Sequence, residues 1–361
     1  MKPRIGFVME QALGHVAYGL SLRRALAERD DFEARWLDIP FDRGRFGRIP
    51  VAGSNWTLRA SVRAQRAVAR ELASGKLDAL FVHTQTVALF SIGHMGRIPT
   101  LLSLDATPRN YDELAGHYGD RVHPPAIESA KLWAHRRVAA AARLFTTWSD
   151  WAKRSLVSDY GAASDRVTVI HPGTVFSNFP SPHEKRGRRP GPLRVLFVGG
   201  DFQRKGGDLL LQVARERLRG RVELHLVTGA DVPAGEGIFV YRGLKPHSPE
   251  LLGLYADADV FALPTRADCL AVVLGEAMAS CLPIVTTRVG AHGEVVEDGK
   301  SGFLVDTGDA AQLADRLERF VERPELAREL GLRGRAIGEE RFDMNKNAAR
   351  IAELLLGLCR R

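Results

Sequence analysis

Two segments of the 361-residue chain carry residue types suited to holding a phosphate group. In the first, an apolar run ending at Val198 enters Gly199-Gly200-Asp201, and Arg204 and Lys205 follow just before a helical pattern opens at Gly206-Gly207. A glycine-containing turn frees backbone N–H groups at a helix start, whose partial positive charge attracts anions, and two cations add charge-assisted hydrogen bonds. The spacing is not G-x-G-x-x-G, so the chemistry it fits is a diphosphate rather than a dinucleotide fingerprint. A turn with a solvated Arg-Lys pair is the plainer reading of the same residues. In the second segment an apolar run ends at Pro264, a loop carries Asp268, and a helix expected to start near Leu270-Ala271-Val272 carries Glu276. Free N–H groups at that start suit the same phosphate from the other side, and the two carboxylates can accept hydrogen bonds from hydroxyls. Taken alone, Glu276 could merely favour the helix dipole. Asp257-Ala258-Asp259 has the spacing of a metal-binding pair. It lies where a short helix hands over to a strand, and the phosphate role is already filled, so no metal and no cofactor is expected.

These residues need a scaffold that brings loop ends together, and the hydrophobic pattern supplies one. Strand-like runs at Ile5 to Met9, Phe32 to Leu37, Leu80 to Val82, Thr100 to Leu104, Leu144 to Trp148 and Val167 to Ile170 alternate with helical stretches. Such alternation implies a parallel sheet covered by helices. Pro180, Pro182 and the basic stretch Lys185 to Pro192 offer nothing to pack, so a linker is expected at about 178–192. Alternation restarts at Leu193 to Gly199 and continues through Val222 to Val227, Ile238 to Tyr241, Val260 to Leu263 and Pro283 to Thr286. The fold class is therefore α/β with two doubly wound, Rossmann-like domains, 1–190 and 193–341. A last helix at 342–361 is expected to pack back on the first domain. Both phosphate-suited helix starts fall at carboxyl ends of strands, where open α/β sheets bind ligands.

Length agrees with two cores, since one core rarely grows past about 250 to 300 residues. No apolar run is long enough to span a bilayer, and Glu10-Gln11 interrupt the first one before a signal peptide would be complete. Cys269, Cys281 and Cys359 have neither metal-ligand nor disulfide spacing, which points to a reducing, cytoplasmic setting. The net charge of +8 is uneven: residues 1–190 hold 28 Lys and Arg against 18 Asp and Glu. A basic first half suits an anionic partner such as a membrane surface, while no nucleic-acid module accompanies it. A basic stripe is expected on a helix over Thr57 to Gly75, where Arg59, Arg63, Arg66 and Arg70 recur at spacings of four, three and four. Arg43, Arg45 and Arg48 precede it. Peripheral contact with the inner face of a membrane is one reading, and an ordinary solvated helix face is the other.

From Lys205 through Tyr255-Ala256-Asp257-Ala258-Asp259, Asp268 to Glu276, Pro283 to Gly290 and Asp298 to Val305, order and spacing resemble glycosyltransferase family 4. These are retaining enzymes of the GT-B fold, with two domains facing a cleft. The resemblance implies a nucleotide diphosphate sugar as donor, with the acceptor left open as a carbohydrate, a lipid-linked sugar or a small molecule. It implies that Glu276 contacts the ribose and that Asp268 stands where a glutamate usually meets sugar hydroxyls. Gly200 stands where many relatives have the first phosphate-binding cation, so Arg204 is expected to substitute beside Lys205. Asp105 stands where a histidine usually helps hold the donor sugar. Gly14 falls in the glycine-bearing loop expected against the donor phosphates, and Gly243 and Leu244 in a loop whose backbone reads the base. His15 is either a catalytic base, as a histidine near this place is in inverting GT-B enzymes, or a structural residue at a helix start. A sugar-nucleotide epimerase of the same architecture and a non-catalytic nucleotide-sugar-binding protein are the rival functions. The first would convert donor without acceptor, and the second would bind it unchanged.

Overall fold

The computed structural model describes residues 2–12, 14–41, 55–118, 124–182, 190–233 and 235–360. Arg43, Arg45 and Arg48, and most of the expected linker's basic stretch, lie outside the described residues. The chain forms two compact units, Met1–Glu113 with Arg121–Pro172 and Met344–Arg361, and Leu114–Asp120 with Gly173–Asp343.

In the first unit, β1 (Arg4–Gln11), β2 (Glu33–Pro40), β3 (Ala79–His83), β4 (Thr100–Leu104), β5 (Leu144–Thr147) and β6 (Val167–Val169) form one sheet in the order β2-β1-β3-β4-β5-β6. Every ladder is parallel. Parallel strands need crossovers that cover both faces, which is why β3 and β4 are buried along their whole length and are mostly apolar, with only His83, Thr100 and Ser103 as polar members. Phe7 and Phe81 sit fully buried with ring centroids 5.5 Å apart, each worth roughly 2–3 kcal/mol of burial. The chain leaves β1 for β2 on one side and later returns to β3 on the other. The gap between the carboxyl ends of β1 and β3 is thus the point where strand order reverses.

The helix Trp56–Ser74 starts at Asn55, whose side chain accepts from the Leu58 N–H. It carries the four arginines of the expected stripe, but the stripe is not uniform. Arg59 is 6% exposed and lies over the Trp56 ring, and Arg63 donates to the Pro40 carbonyl. Only Arg66 and Arg70 are exposed. The four arginines span only about 60° around a 3.6-residue helix, with Arg59 between Arg66 and Arg70, so Arg59 is covered by its place in the first turn beside Trp56 and not by the turn of the helix. The final helix, Met344–Cys359, packs against the helix Gly14–Leu26 and against β3 and β4, burying Ile351, Ala352, Leu355 and Leu358.

In the second unit, β7 (Leu193–Val198), β8 (Val222–Val227), β9 (Ile238–Tyr241), β10 (Val260–Leu263), β11 (Ile284–Thr287) and β12 (Gly302–Val305) give the order β12-β11-β10-β7-β8-β9, again all parallel. Here the order reverses between β7 and β10. The pair Asp257 and Asp259 belongs to the framework. The Asp259 carboxylate accepts the Arg194 backbone N–H at 2.9 Å, and the Asp257 carbonyl accepts from the Arg194 side chain. That joins the entrance of β7 to the entrance of β10.

Candidate functional site

The turn after β7 is set by Gly206. Its φ of 77° is left-handed, and a Cβ there would lie 2.0 Å from the Pro264 carbonyl oxygen, so the turn after β7 and the end of β10 pack backbone to backbone. This closeness places Lys205 against Asp268: the ammonium donates to Asp268 Oδ2, and both side chains are nearly buried. Burial alone would raise the Asp268 carboxyl, but Lys205, then His292 and Arg204, outweigh it and hold it below the usual carboxylate range.

Arg204 also has partners within the protein. Its guanidinium donates to the Ala267 carbonyl at 2.7 Å and to Asp201 at 3.1 Å, and its own carbonyl accepts the Arg266 N–H. Arg266 in turn makes a two-pronged pair with Asp208 at 2.7 and 2.8 Å. Two arginines therefore tie the loop after β7 to the loop after β10. Gly200 lies at the open end of the turn, where an added Cβ would meet nothing within 4 Å.

The helix that carries Glu276 begins at Val273, three residues later than expected. The Cys269 carbonyl accepts the Ala291 N–H at 2.8 Å, and Gly290 approaches the carbonyls of Asp268 and Cys269 so closely that any Cβ would collide. That pairing keeps Leu270 and Ala271 out of helical conformation. It also engages the Ala271 N–H, which points at His292 Nε2 at 3.4 Å. His292 is fully buried and bonded through Nδ1 to Thr286 Oγ1 at 2.9 Å, while the Thr286 hydroxyl donates to the Leu263 carbonyl. Nδ1 therefore carries the proton. Burial pushes the ring down to about 4, against the pull of Asp268, so it stays neutral.

Glu276 is buried, with Oε2 accepting from the Tyr255 hydroxyl at 2.7 Å and Oε1 3.8 Å from His247 Nε2. Burial raises its carboxyl to about 7, against the lowering effect of the Tyr255 bond. Gly243, at φ 72°, and Leu244 lie in the loop after β9 that leads to His247.

In the first unit, the expected residues again gather where strand order reverses. Gly14 and His15 open the helix after β1, and Asp105 follows β4. His15 Nε2 is 3.7 Å from Asp105 Oδ2, which also accepts the Tyr111 hydroxyl at 2.7 Å. Asp105 is 5% exposed, and its Oδ1 is buried with no hydrogen-bond partner among the described residues. His15 Nδ1 meets His83 Nε2 at 3.0 Å, at the end of β3. His83, Tyr255, His247 and His292 were not singled out from sequence. The signal for His83 was there, since it directly follows the apolar run Leu80 to Val82 at a strand's carboxyl end.

Among known proteins, the family model described as Glycosyltransferase Family 4 matches residues 12–176, and that described as Glycosyl transferases group 1 matches residues 192–323. The chain is similar to a D-inositol 3-phosphate glycosyltransferase of Pseudarthrobacter chlorophenolicus, 27% identical over 326 residues, which cover 84% of this chain and 76% of that one. Of solved structures, sucrose-phosphate synthase from Thermosynechococcus elongatus matches with a TM-score of 0.80 at 19% identity over 99% of each chain. Anabaena HepE in complex with UDP-glucose matches with a TM-score of 0.68 at 16% identity, covering 98% of this chain and 99% of that one. At such identities the two structures speak to the fold, which is GT-B.

Proposed function

The chain belongs to glycosyltransferase family 4 and is a glycosyltransferase, and on that premise we propose that it takes its sugar from a nucleotide diphosphate and transfers it, without a metal and with retention of configuration, to an acceptor hydroxyl. The observation that carries this reading is the Lys205–Asp268 pair at the reversal point of the second sheet. A cation and a carboxylate held together there match the two halves of a donor, an anionic diphosphate and a hydroxyl-bearing sugar. The complex of a structural neighbour with UDP-glucose supports the same donor class.

The main barrier is charge building on the departing diphosphate as the anomeric C–O bond breaks. Lys205 neutralises that charge from a fixed position, which is typically a large catalytic term. Arg204 acts by bracing the loop that presents Lys205. Asp268 accepts hydrogen bonds from sugar hydroxyls, and Glu276, steadied by Tyr255, accepts from the ribose. The backbone around Gly243 and Leu244 borders the base. Asp105 Oδ1 and His15 handle a hydroxyl in the first unit, with Gly14 leaving room for close approach. Retention follows if the acceptor attacks from the leaving-group face and the diphosphate oxygen takes its proton, which requires no covalent nucleophile. Contact with an anionic membrane would rest on Arg66 and Arg70, worth about 1 kcal/mol each near an anionic leaflet, so it would be weak and lost at high salt in vesicle co-sedimentation.

A thermal-shift screen over nucleotide diphosphate sugars identifies the donor, because a ligand at 100 times its dissociation constant stabilises by about 2.7 kcal/mol. Proton NMR of the product made with that donor should then show the donor's anomeric configuration, with the rate unchanged by chelator and lowered about 100-fold in Lys205→Ala. An inverted product, or chelator-sensitive turnover restored by Mg²⁺ or Mn²⁺, would overturn the mechanism.

A further inference from the structure

We propose that His83 is a positioning residue for His15, holding the His15 ring in the one tautomer that points an N–H at Asp105. The inference rests on the reading that His15 and Asp105 handle a hydroxyl group, and it concerns what makes them able to do so.

His83 ends β3, and His15 opens the helix after β1, so the pair spans the point where strand order reverses in the first sheet. Four groups form a row: Ser103 Oγ, His83, His15 and Asp105. The contacts along it are 3.2 Å from Ser103 Oγ to His83 Nδ1, 3.0 Å from His83 Nε2 to His15 Nδ1, and 3.7 Å from His15 Nε2 to Asp105 Oδ2. His83 is fully buried, with its ring stacked on Trp148 at 5.4 Å and beside Tyr18 at 4.7 Å, so it cannot turn freely or reach a ligand. Burial, reinforced by His15, holds it neutral, and a neutral imidazole has one donor nitrogen and one acceptor.

Two proton arrangements satisfy the row. In one, Ser103 donates to His83 Nδ1, His83 Nε2–H donates to His15 Nδ1, and His15 carries its proton on Nε2, facing Asp105. In the other every proton is moved by one place, and His15 Nε2 turns a bare lone pair toward the carboxylate. Lone pair against carboxylate is repulsive and N–H against carboxylate is attractive, so the first arrangement is the ground state. His83 thus fixes the resting tautomer, as an outer partner does for a working histidine.

Nitrogen-15 NMR of histidine-labelled protein, with His15 assigned by its loss in His15→Gln, reads the tautomer directly. The wild type should show His15 protonated at Nε2 and bare at Nδ1. His83→Phe keeps the stacked ring and removes the donor, and should mix the His15 tautomers and lower kcat about tenfold or more with the donor KM changed less than about twofold. His83→Gln returns an N–H near the place of Nε2 and should restore both the spectrum and most of kcat. A wild-type His15 protonated at Nδ1 would overturn the proposal, as would a folded His83→Phe protein with an unchanged His15 spectrum. If His83→Phe does not fold, the wild-type spectrum and His83→Gln still decide. The spectra need neither donor nor acceptor, so a failure of the proposed transfer reaction would appear separately, as the absence of turnover.

Discussion

Lys205 and Asp268 neutralise each other while no donor is bound, and this has a consequence for which ligand is preferred. In the proposed reaction a nucleotide sugar would offer Lys205 its diphosphate and Asp268 its hydroxyls at once. A free nucleotide diphosphate bound the same way would take Lys205 and leave Asp268 nearly buried without its partner, which is costly. Asp268→Asn should therefore bind the free diphosphate about tenfold more tightly by calorimetry while turning over the nucleotide sugar more slowly. Weaker diphosphate binding in that variant would sink the idea that the pair competes with product. Glu276 gives a second test through pH. Its folded-state carboxyl lies near 7, above its ordinary value of 4.5, so between those values the folded protein binds more protons than the unfolded chain. Stability then falls as pH rises through that window and levels off above it, by about 3 kcal/mol for this group. Glu276→Gln should lose that slope in urea titrations from pH 4.5 to 8, and should bind nucleotide diphosphate more weakly. A slope equal to the wild type's would place its origin elsewhere.

At the scale of elements, what was legible in the sequence is what local pattern controls. Eleven strands follow apolar runs visible in the chain, and Thr100–Leu104, Val222–Val227, Ile238–Tyr241 and Val260–Leu263 have the expected limits. β12 was not separated as a strand, because Gly302-Phe303-Leu304-Val305 is short and gains its meaning only from pairing with β11. The late helix start at Val273 was equally illegible, since it depends on Gly290 and Ala291 reaching back to Cys269. Arg204 illustrates the same limit for a side chain: its type suggests phosphate, while its partners, Asp201 and the Ala267 carbonyl, include one that is 63 positions away. The turn itself can be tested at Gly206. Alanine there must adopt a left-handed φ and displace the Pro264 carbonyl, so Gly206→Ala should cost at least about 2 kcal/mol and disturb Lys205. Gly200→Ala, in the same turn with open space around it, should change stability by less than about 0.5 kcal/mol. Equal melting temperatures for the two variants would show that the turn is not held against Pro264.

At the scale of the whole molecule, and apart from the short segment Leu114–Asp120 that groups with the second unit, the chain builds one unit, crosses at Pro172–Gly173 to build the second, and crosses back at Asp343–Met344 to finish the first. The second crossing is pinned next to the first, because the Thr174 N–H donates to the Phe342 carbonyl at 2.7 Å. The final helix therefore belongs to the first unit's core although it comes last in sequence. Its Ile351, Leu355 and Leu358 are at most 2% exposed, and three such side chains are worth roughly 5–9 kcal/mol of burial. That is comparable with the whole stability of an ordinary domain, about 5–15 kcal/mol. Removing residues 344–361 should therefore unfold the first unit and leave the second. Limited proteolysis of the truncated chain should digest the stretch before Pro172 and spare a fragment near 173–343. That fragment should still be stabilised by nucleotide diphosphate, since Lys205, Asp268 and Glu276 all lie within it. Survival of the first unit in the truncated chain would mean that the final helix covers its core without holding it together. Loss of nucleotide stabilisation with the second unit intact would move part of the nucleotide site out of residues 173–343.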